Sequence, residues 1–346
     1  MPDLRDNPVP HRVRRDGDGV RLADYLLALI PRTTEHEVAQ AIADGRFRWS
    51  EGGGPLGPDA LLVAGQTLLA TTPDLTPDDP HLPPPPEVMT VLHADADLFI
   101  VDKPPGLLSY PQGTRKVAAQ SIAEQQLMEA FESPELRPLH RIDRETSGVL
   151  MFARHIEADR RVKAAFQRRA VRKGYLALVR GAVPDGEHVI DARIGPDGGD
   201  IRIRMRVRSD GLTAQTVVRT LGRFGDDDFG AAGRGYSWVE AKPRTGRTHQ
   251  IRLHLAHLGH PIVGDKLYID GGKSFLRWWD GDFNASDIAQ IGLPRHALHA
   301  GWVTLTQPMT KERLQVVSPV PEDLRAFAQA RGGLAPELVV PPEAES

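Results

Sequence analysis

Pro138-Leu139-His140-Arg141-Ile142-Asp143-Arg144-Glu145-Thr146-Ser147-Gly148-Val149-Leu150 is the stretch on which the reading of this chain turns. Asp143 stands between two arginines, and the turn that follows runs into the apolar segment Val149-Leu150-Met151-Phe152-Ala153. Nearby guanidinium groups favour the ionised carboxylate. An ionised Asp at the mouth of a packed strand can act as a nucleophile or a base. Taken alone, an Arg-Ile-Asp-Arg run reads equally as a surface ion pair capping a turn, which contributes little.

Other constellations lie on either side. An apolar strand, Leu98-Phe99-Ile100-Val101, ends in Lys103-Pro104-Pro105-Gly106-Leu107, where Pro and Gly force a sharp exit. Lys173-Gly174-Tyr175-Leu176-Ala177 opens a strand, and a Tyr there would ordinarily pack its ring and bond its hydroxyl. Arg244-Thr245-Gly246-Arg247-Thr248-His249-Gln250-Ile251-Arg252 leads through a glycine turn into a helix with Ile251, Leu255 and Leu258 on one face. His260-Pro261-Ile262-Val263-Gly264-Asp265 and Leu298-His299-Ala300 follow.

In this order the motifs resemble those of the RluA-type RNA pseudouridine synthases, over roughly residues 92–317. Ile142 replaces a Leu of the family pattern, and Gly174 stands where Lys or Gln is commoner. The resemblance implies an α+β pseudouridine synthase fold: a bent, mixed and largely antiparallel sheet with flanking helices. It implies an isomerase that flips a uridine out of structured RNA, ribosomal or transfer RNA, cleaves its glycosidic bond and rejoins the base through C5, with no cofactor. Asp143 becomes the catalytic anion, Tyr175 the ring that stacks on the base, and Arg252 the partner that keeps Asp143 ionised. Arg141 would fill the vacated stack, with His140, Arg168, Arg169, Lys173 and Arg247 near the RNA. Two other readings are a catalytically silent RNA-binding protein on the same fold and a base hydrolase using Asp143 with Glu145. A metal cluster of His249, His254, His257 and His260 lacks a recognised zinc pattern.

Composition is compatible with this reading. The 346 residues carry a net charge of −3, so the chain is not basic all over, but RNA affinity depends on local basic surface. From Glu157 to Arg172 a helical apolar period is set among Arg160, Arg161, Lys163, Arg168, Arg169 and Arg172, which suggests phosphate contact. No cysteine is present, which suits a reducing cytoplasm. No apolar run approaches the roughly 18 residues of a membrane span, and the chain reads as a cytoplasmic monomer with RNA as its partner.

Residues 1–15 read as a flexible leader, 16–72 as a small α/β module, 73–87 as a Pro-rich spacer, 88–330 as the catalytic domain and 331–346 as a disordered tail. In the small module Leu22, Tyr25, Leu26, Leu29 and Ile30 recur at helical spacing. A second helix over 37–43, a strand at Arg46-Phe47-Arg48-Trp49 and a strand pair over 61–68 follow. That order resembles an S4 RNA-binding module, although Glu35 and Glu37 thin the usual basic helix. Residues 201–207 read as a strand, and 225–235 and 271–293 as inserted loops.

Overall fold

The computed structural model describes residues 9–13, 17–29, 34–45, 47–50, 56–70, 79–112, 117–128, 135–230 and 233–340. The chain divides into two compact units, Met1–Thr76 with Pro111–Lys116, and Pro77–Tyr110 with Val117–Ser346.

In the first unit, strands β1 (Val9–Arg12), β2 (Phe47–Trp49) and β3 (Thr67–Ala70) form an antiparallel sheet in the order β1-β3-β2, accompanied by helices α1 (Leu22–Leu29) and α2 (Glu35–Ala43). Leu22 and Leu26 on one face of α1 meet Val38 and Ile42 of α2 over Phe47 and Leu68. Gly45, at φ +70°, lets the chain leave α2. Two expectations are corrected. Val9–Arg12 is a strand within the expected leader: it pairs with the open edge of β3, where Pro10 is tolerated because edge strands do not need every donor. The expected pair over 61–68 is the single strand β3, with Leu61 only bridging Arg21. Ile30 and Arg46 lie outside the described residues.

The second unit is built on a ten-stranded sheet. Its strands are β4 (Val91–Ala94), β5 (Leu98–Lys103), β6 (Arg137–Pro138), β7 (Ser147–Ala153), β8 (Arg172–Arg180), β9 (Glu187–Asp191), β12 (Gln215–Asp228), β13 (Arg234–Pro243), β14 (Leu298–Thr306) and β15 (Arg313–Val317). The main path runs β4-β5-β7-β14-β8-β13-β12-β9, with β15 on β14 and β6 on β7; among the described residues only β7 and β14 pair in parallel. β10 (Ile194–Pro196) and β11 (Met205–Val207) make a separate ribbon. The helices are α3 (Ala119–Leu127), α4 (Ile156–Gln167), α5 (Gln250–His257), α6 (Lys273–Trp279), α7 (Ala285–Ile291) and α8 (Glu322–Gln329). The central strands are apolar on both faces, as β7 shows by being buried along its whole length.

Gly148 is required where β7 meets β14. Its φ is +108°, and a Cβ there would stand 2.3 Å from the Ala300 carbonyl oxygen. Gly174 has a different reason: a Cβ would fall 2.2 Å from the Trp302 ring, whose Nε1 donates to Glu240 at 2.9 Å. The departure from the family pattern at Gly174 is thus matched by a buried tryptophan.

Four further expectations change. The described part of the Pro-rich segment is packed on this unit: Asp79 is buried 3.2 Å from Lys266, and the His81 ring meets Phe283 edge-on at 5.7 Å. The described residues of 225–235, 225–230 and 233–235, continue the β12–β13 hairpin, whose rings Phe224 and Tyr236 stack at 5.6 Å. Residues 271–293 hold α6 and α7, with Asn284 and Asp287 capping α7 over a core of Trp278, Phe283 and Ile291. Beyond α8, Ala335 and Leu338 pack on the main core, so the described part of the expected tail is anchored by apolar burial. Residues 341–346 lie outside the described residues.

Candidate active site

The loop carrying Asp143 is held from below by the motif at the end of β5. Lys103 is fully buried, and its Nζ donates to the carbonyls of Pro104 (2.8 Å), Leu107 (2.8 Å) and Arg144 (3.0 Å). Burial, with Arg295 nearby, holds its pKa well below the usual lysine range. Gly106 N–H donates to the Arg144 carbonyl, and Arg144 Nε returns a bond to the Gly106 carbonyl at 3.0 Å. Arg144 therefore fastens two loops together. Ser109 Oγ both donates to the Ile142 carbonyl and accepts from its N–H. Thr146 Oγ1 meets His296 Nε2 at 2.8 Å, and Ser147 Oγ meets His299 Nδ1 at 3.0 Å. Each polar residue of Thr146-Ser147-Gly148 is thus committed to β14 or the chain just before it.

From the other side, the turn before α5 brings His249 and Arg252. His249 sits in the left-handed region at φ +56°. Arg252 Nη1 donates to Asp143 Oδ2 at 3.0 Å, while Nε and Nη2 grip both oxygens of Asp265 at 2.7 and 2.8 Å. The bidentate grip fixes the guanidinium plane and leaves one edge for Asp143. Burial alone would raise the Asp143 pKa; His249, Arg252 and His296 act against it and hold it well below the usual carboxylate range. Burial and Arg252 pull His249 itself down to about 4, so at neutral pH that ring is uncharged and Arg252 supplies the field. His249 Nδ1 lies 3.0 Å from the Tyr268 hydroxyl, which accepts the Met205 N–H at 3.1 Å. A Tyr268 proton on Nδ1 leaves the imidazole proton on Nε2, which faces Asp143 Oδ2 at 3.9 Å.

Above Asp143 opens a cavity of about 310 Å³. It gathers His140, Arg141, Asp143, Lys173, Tyr175, Arg247 and Arg252. Tyr175 presents its ring from β8 and is 7% exposed; its hydroxyl takes no hydrogen bond from the described residues. Arg141 is exposed at the rim. Arg247 Nε is braced on the Thr213 carbonyl at 3.1 Å. Arg168 and Arg169 do not line the cavity: they stand exposed at the end of α4, Arg169 at φ +59°. His140, grouped above with the RNA contacts, accepts the Met151 N–H on Nε2 at 3.1 Å, and burial pulls its pKa to about 3. It is a neutral tie between loop and strand.

The basic helix is less basic than its sequence. Arg160 and Arg161 pair with Glu157 at 2.8 and 2.5 Å, and Lys163 pairs with Asp159 at 2.6 Å. Those helical-turn pairs engage three cations of the row with two carboxylates and so cancel a third of its charge. Glu145, the second carboxylate of the hydrolase reading, does not line the cavity; it pairs with Lys266 at 2.9 Å. Three of the histidines considered as metal ligands have separate partners: His249 meets Tyr268, His254 bonds Thr216 and the Ala192 carbonyl, and His260 bonds the Arg180 carbonyl. Sequence reasoning assigned no part to Asp265, Lys103, Tyr268 or His296. The signal for Asp265 was present, since a buried arginine with two free nitrogens demands a second acceptor.

Fold and site together define an isomerase that converts uridine in RNA to pseudouridine. Residues 97–257 match the RNA pseudouridylate synthase family. The ribosomal large subunit pseudouridine synthase D of Xanthomonas campestris is 32% identical, over 95% of this chain and 96% of its own length. The protein of the same name from Pseudomonas aeruginosa is 31% identical, over 88% and 90%. The structure of human RNA pseudouridylate synthase domain containing 1 superposes with a TM-score of 0.53 at 27% identity, covering 73% of this chain and 92% of that one. The chain belongs to the RNA pseudouridylate synthase family. Among the described residues no helix is long and apolar enough to cross a membrane.

Proposed function

We propose that the chain isomerises particular uridines of large-subunit ribosomal RNA, working as a cytoplasmic monomer. The observation that carries the assignment of residues is the Asp143–Arg252–Asp265 arrangement under a cavity shared with Tyr175. A stacked uridine cannot reach that depth, so the base leaves the helix, at a cost of a few kcal/mol. Arg141, exposed at the rim, has the planar guanidinium that can stack in the vacated place. Inside, the anionic Asp143 acts on the nucleotide as the N1–C1′ bond breaks. The freed uracil turns against the Tyr175 ring, and a C5–C1′ bond forms. The proton then on C5 passes to the Tyr175 oxygen as that hydroxyl gives its own proton to solvent, and N1 takes one proton from solvent, so the product is an isomer. Arg252 keeps Asp143 charged throughout; Lys173 and Arg247 meet phosphates, with Arg168 and Arg169 further out.

The names of the relatives support the ribosomal target. The two-helix, three-strand order of the first unit supports an S4-like RNA-binding module. Release of tritium from RNA labelled at uridine C5 tests the site. Wild type releases label and Asp143→Asn slows release by at least about 10³-fold, the scale expected for a group acting in the chemical step. Equal release from both would remove Asp143 from the mechanism. Free uracil as the product would instead mark a hydrolase.

A further inference from the structure

The ribbon of β10 and β11 carries charge that neither the cavity nor the core uses. Residues 192–211 hold five arginines against three aspartates. Two of those arginines are neutralised within the ribbon. Arg208 grips Asp210 at 2.5 Å, and Arg204 lies 3.6 Å from Asp197 while donating to the Gly271 carbonyl. Arg202 and Arg206 are exposed, with no hydrogen-bond or ion-pair partner among the described residues. Met205 and Val207 turn into the cluster of Ile194, Leu253 and Tyr268, so strand alternation sends Arg206 to the opposite face.

Exposed arginines are ordinarily a solvated surface. These are distinguished by two anchors that fix the ribbon to the rim of the active site. Met205 N–H bonds the Tyr268 hydroxyl, which bonds His249, itself 3.9 Å from Asp143. Arg247, on the cavity wall, donates to the carbonyl of Thr213, next to Leu212, which bridges Ile194 of β10. Beside the two free guanidinium groups stands Ile203, 53% exposed, an apolar surface on which a sugar or base can rest.

We infer that the β10–β11 ribbon is a phosphate-holding arm, in which Arg202 and Arg206 grip the RNA backbone that flanks the flipped uridine. The inference rests on the RNA substrate proposed above. Phosphate contacts fix register without reading bases, so the arm sets affinity and placement and leaves the choice of nucleotide to the cavity.

The test is an Arg202→Ala/Arg206→Ala variant of the full chain, binding a fluorescein-labelled unmodified transcript of large-subunit ribosomal RNA across a series of salt concentrations. Each lost phosphate contact lowers the slope of log affinity against log salt by about 0.7 to 0.9, so the pair should lower it by about 1.5 and weaken binding on the order of tenfold at 0.1 M salt. R202K/R206K should keep most of the slope, because the charge is retained. Lys311→Ala/Arg325→Ala removes equal charge elsewhere and should leave both turnover and slope near wild type. An unchanged slope in the alanine pair, or an equal loss in the Lys311/Arg325 control, overturns the arm. Pseudouridine formation by wild type is read separately, so a failure of the proposed activity would show there while the slope still decides the ribbon.

Discussion

Replacing the buried cation should move the activity of Asp143 along the pH axis. In the double variant Arg252→Gln/Asp265→Asn one cation and one carboxylate leave together, and two amides remain to bond each other. At the observed 3.0 Å and an effective dielectric near 20, the Arg252–Asp143 attraction is roughly 5 kcal/mol. That corresponds to about four pKa units. Solvent reaches 24% of the Asp143 side chain, and screening trims the effect to about two or three units. The direction follows from the opposing causes: burial raises this carboxyl, and the neighbouring positive groups lower it. Without Arg252 most of that lowering is lost. A rise of about two or three units from the lowered value returns the group to roughly the ordinary 3.9. In wild type the anion persists below the usual carboxylate range, so its contributions to folding and catalysis are present above that range and fade only as pH falls through the lowered value. Single-turnover tritium release from about pH 4 to 8.5 should be flat on the acid side for wild type and should begin to fall below about pH 5 for the variant. A variant that is slower but equally flat would refute the reasoning, because Arg252 would then position Asp143 without controlling its charge.

Gly148→Ala should lower stability by about 2–4 kcal/mol in urea unfolding, since its Cβ meets the Ala300 carbonyl at 2.3 Å and φ is +108°. Lys266→Met strands the buried carboxylates Asp79 and Glu145 and should cost about 3–5 kcal/mol; adding D79N and E145Q should restore most of the urea midpoint. Tyr175→Phe keeps the ring and loses the hydroxyl. Tritium release should drop by about 10²–10⁴-fold while RNA affinity, read by filter binding, holds; full release would exclude the hydroxyl as the C5 proton acceptor.

Sequence made the site legible where its residues are contiguous. His140 to Gly148 and Thr245 to Arg252 each form one local turn, so motif and geometry coincide. What escaped notice depends on partners far apart along the chain. Lys103 finds Arg144 across 41 residues, and Lys266 finds Glu145 across 121. No local pattern announces that a lysine will be buried, because the exposed and buried residue are spelled alike. Val9–Arg12 became a strand through the unsatisfied edge of β3, a property of another segment. One miss was avoidable: Glu157 with Arg161 and Asp159 with Lys163 stand at helical-turn spacing, so the neutralisation of the basic helix could be read directly.

Two carboxylates around one arginine look like an imbalance in a dry site, and the hydrogen bonds show how it is borne. Asp265 takes the Arg252 fork and also accepts the N–H groups of Leu267 at 3.0 Å and Tyr268 at 3.3 Å. Its charge is therefore met largely by its own surroundings, and the guanidinium it orients is not used up. Asp143 receives only one N–H, on Oδ2; among the described residues Oδ1 carries no hydrogen bond. A carboxylate gripped on both oxygens would be ionised but spent. One gripped on a single oxygen is ionised and still has lone pairs to offer the nucleotide. Asp265, which never reaches the cavity, is thus what lets Arg252 hold Asp143 charged without consuming it.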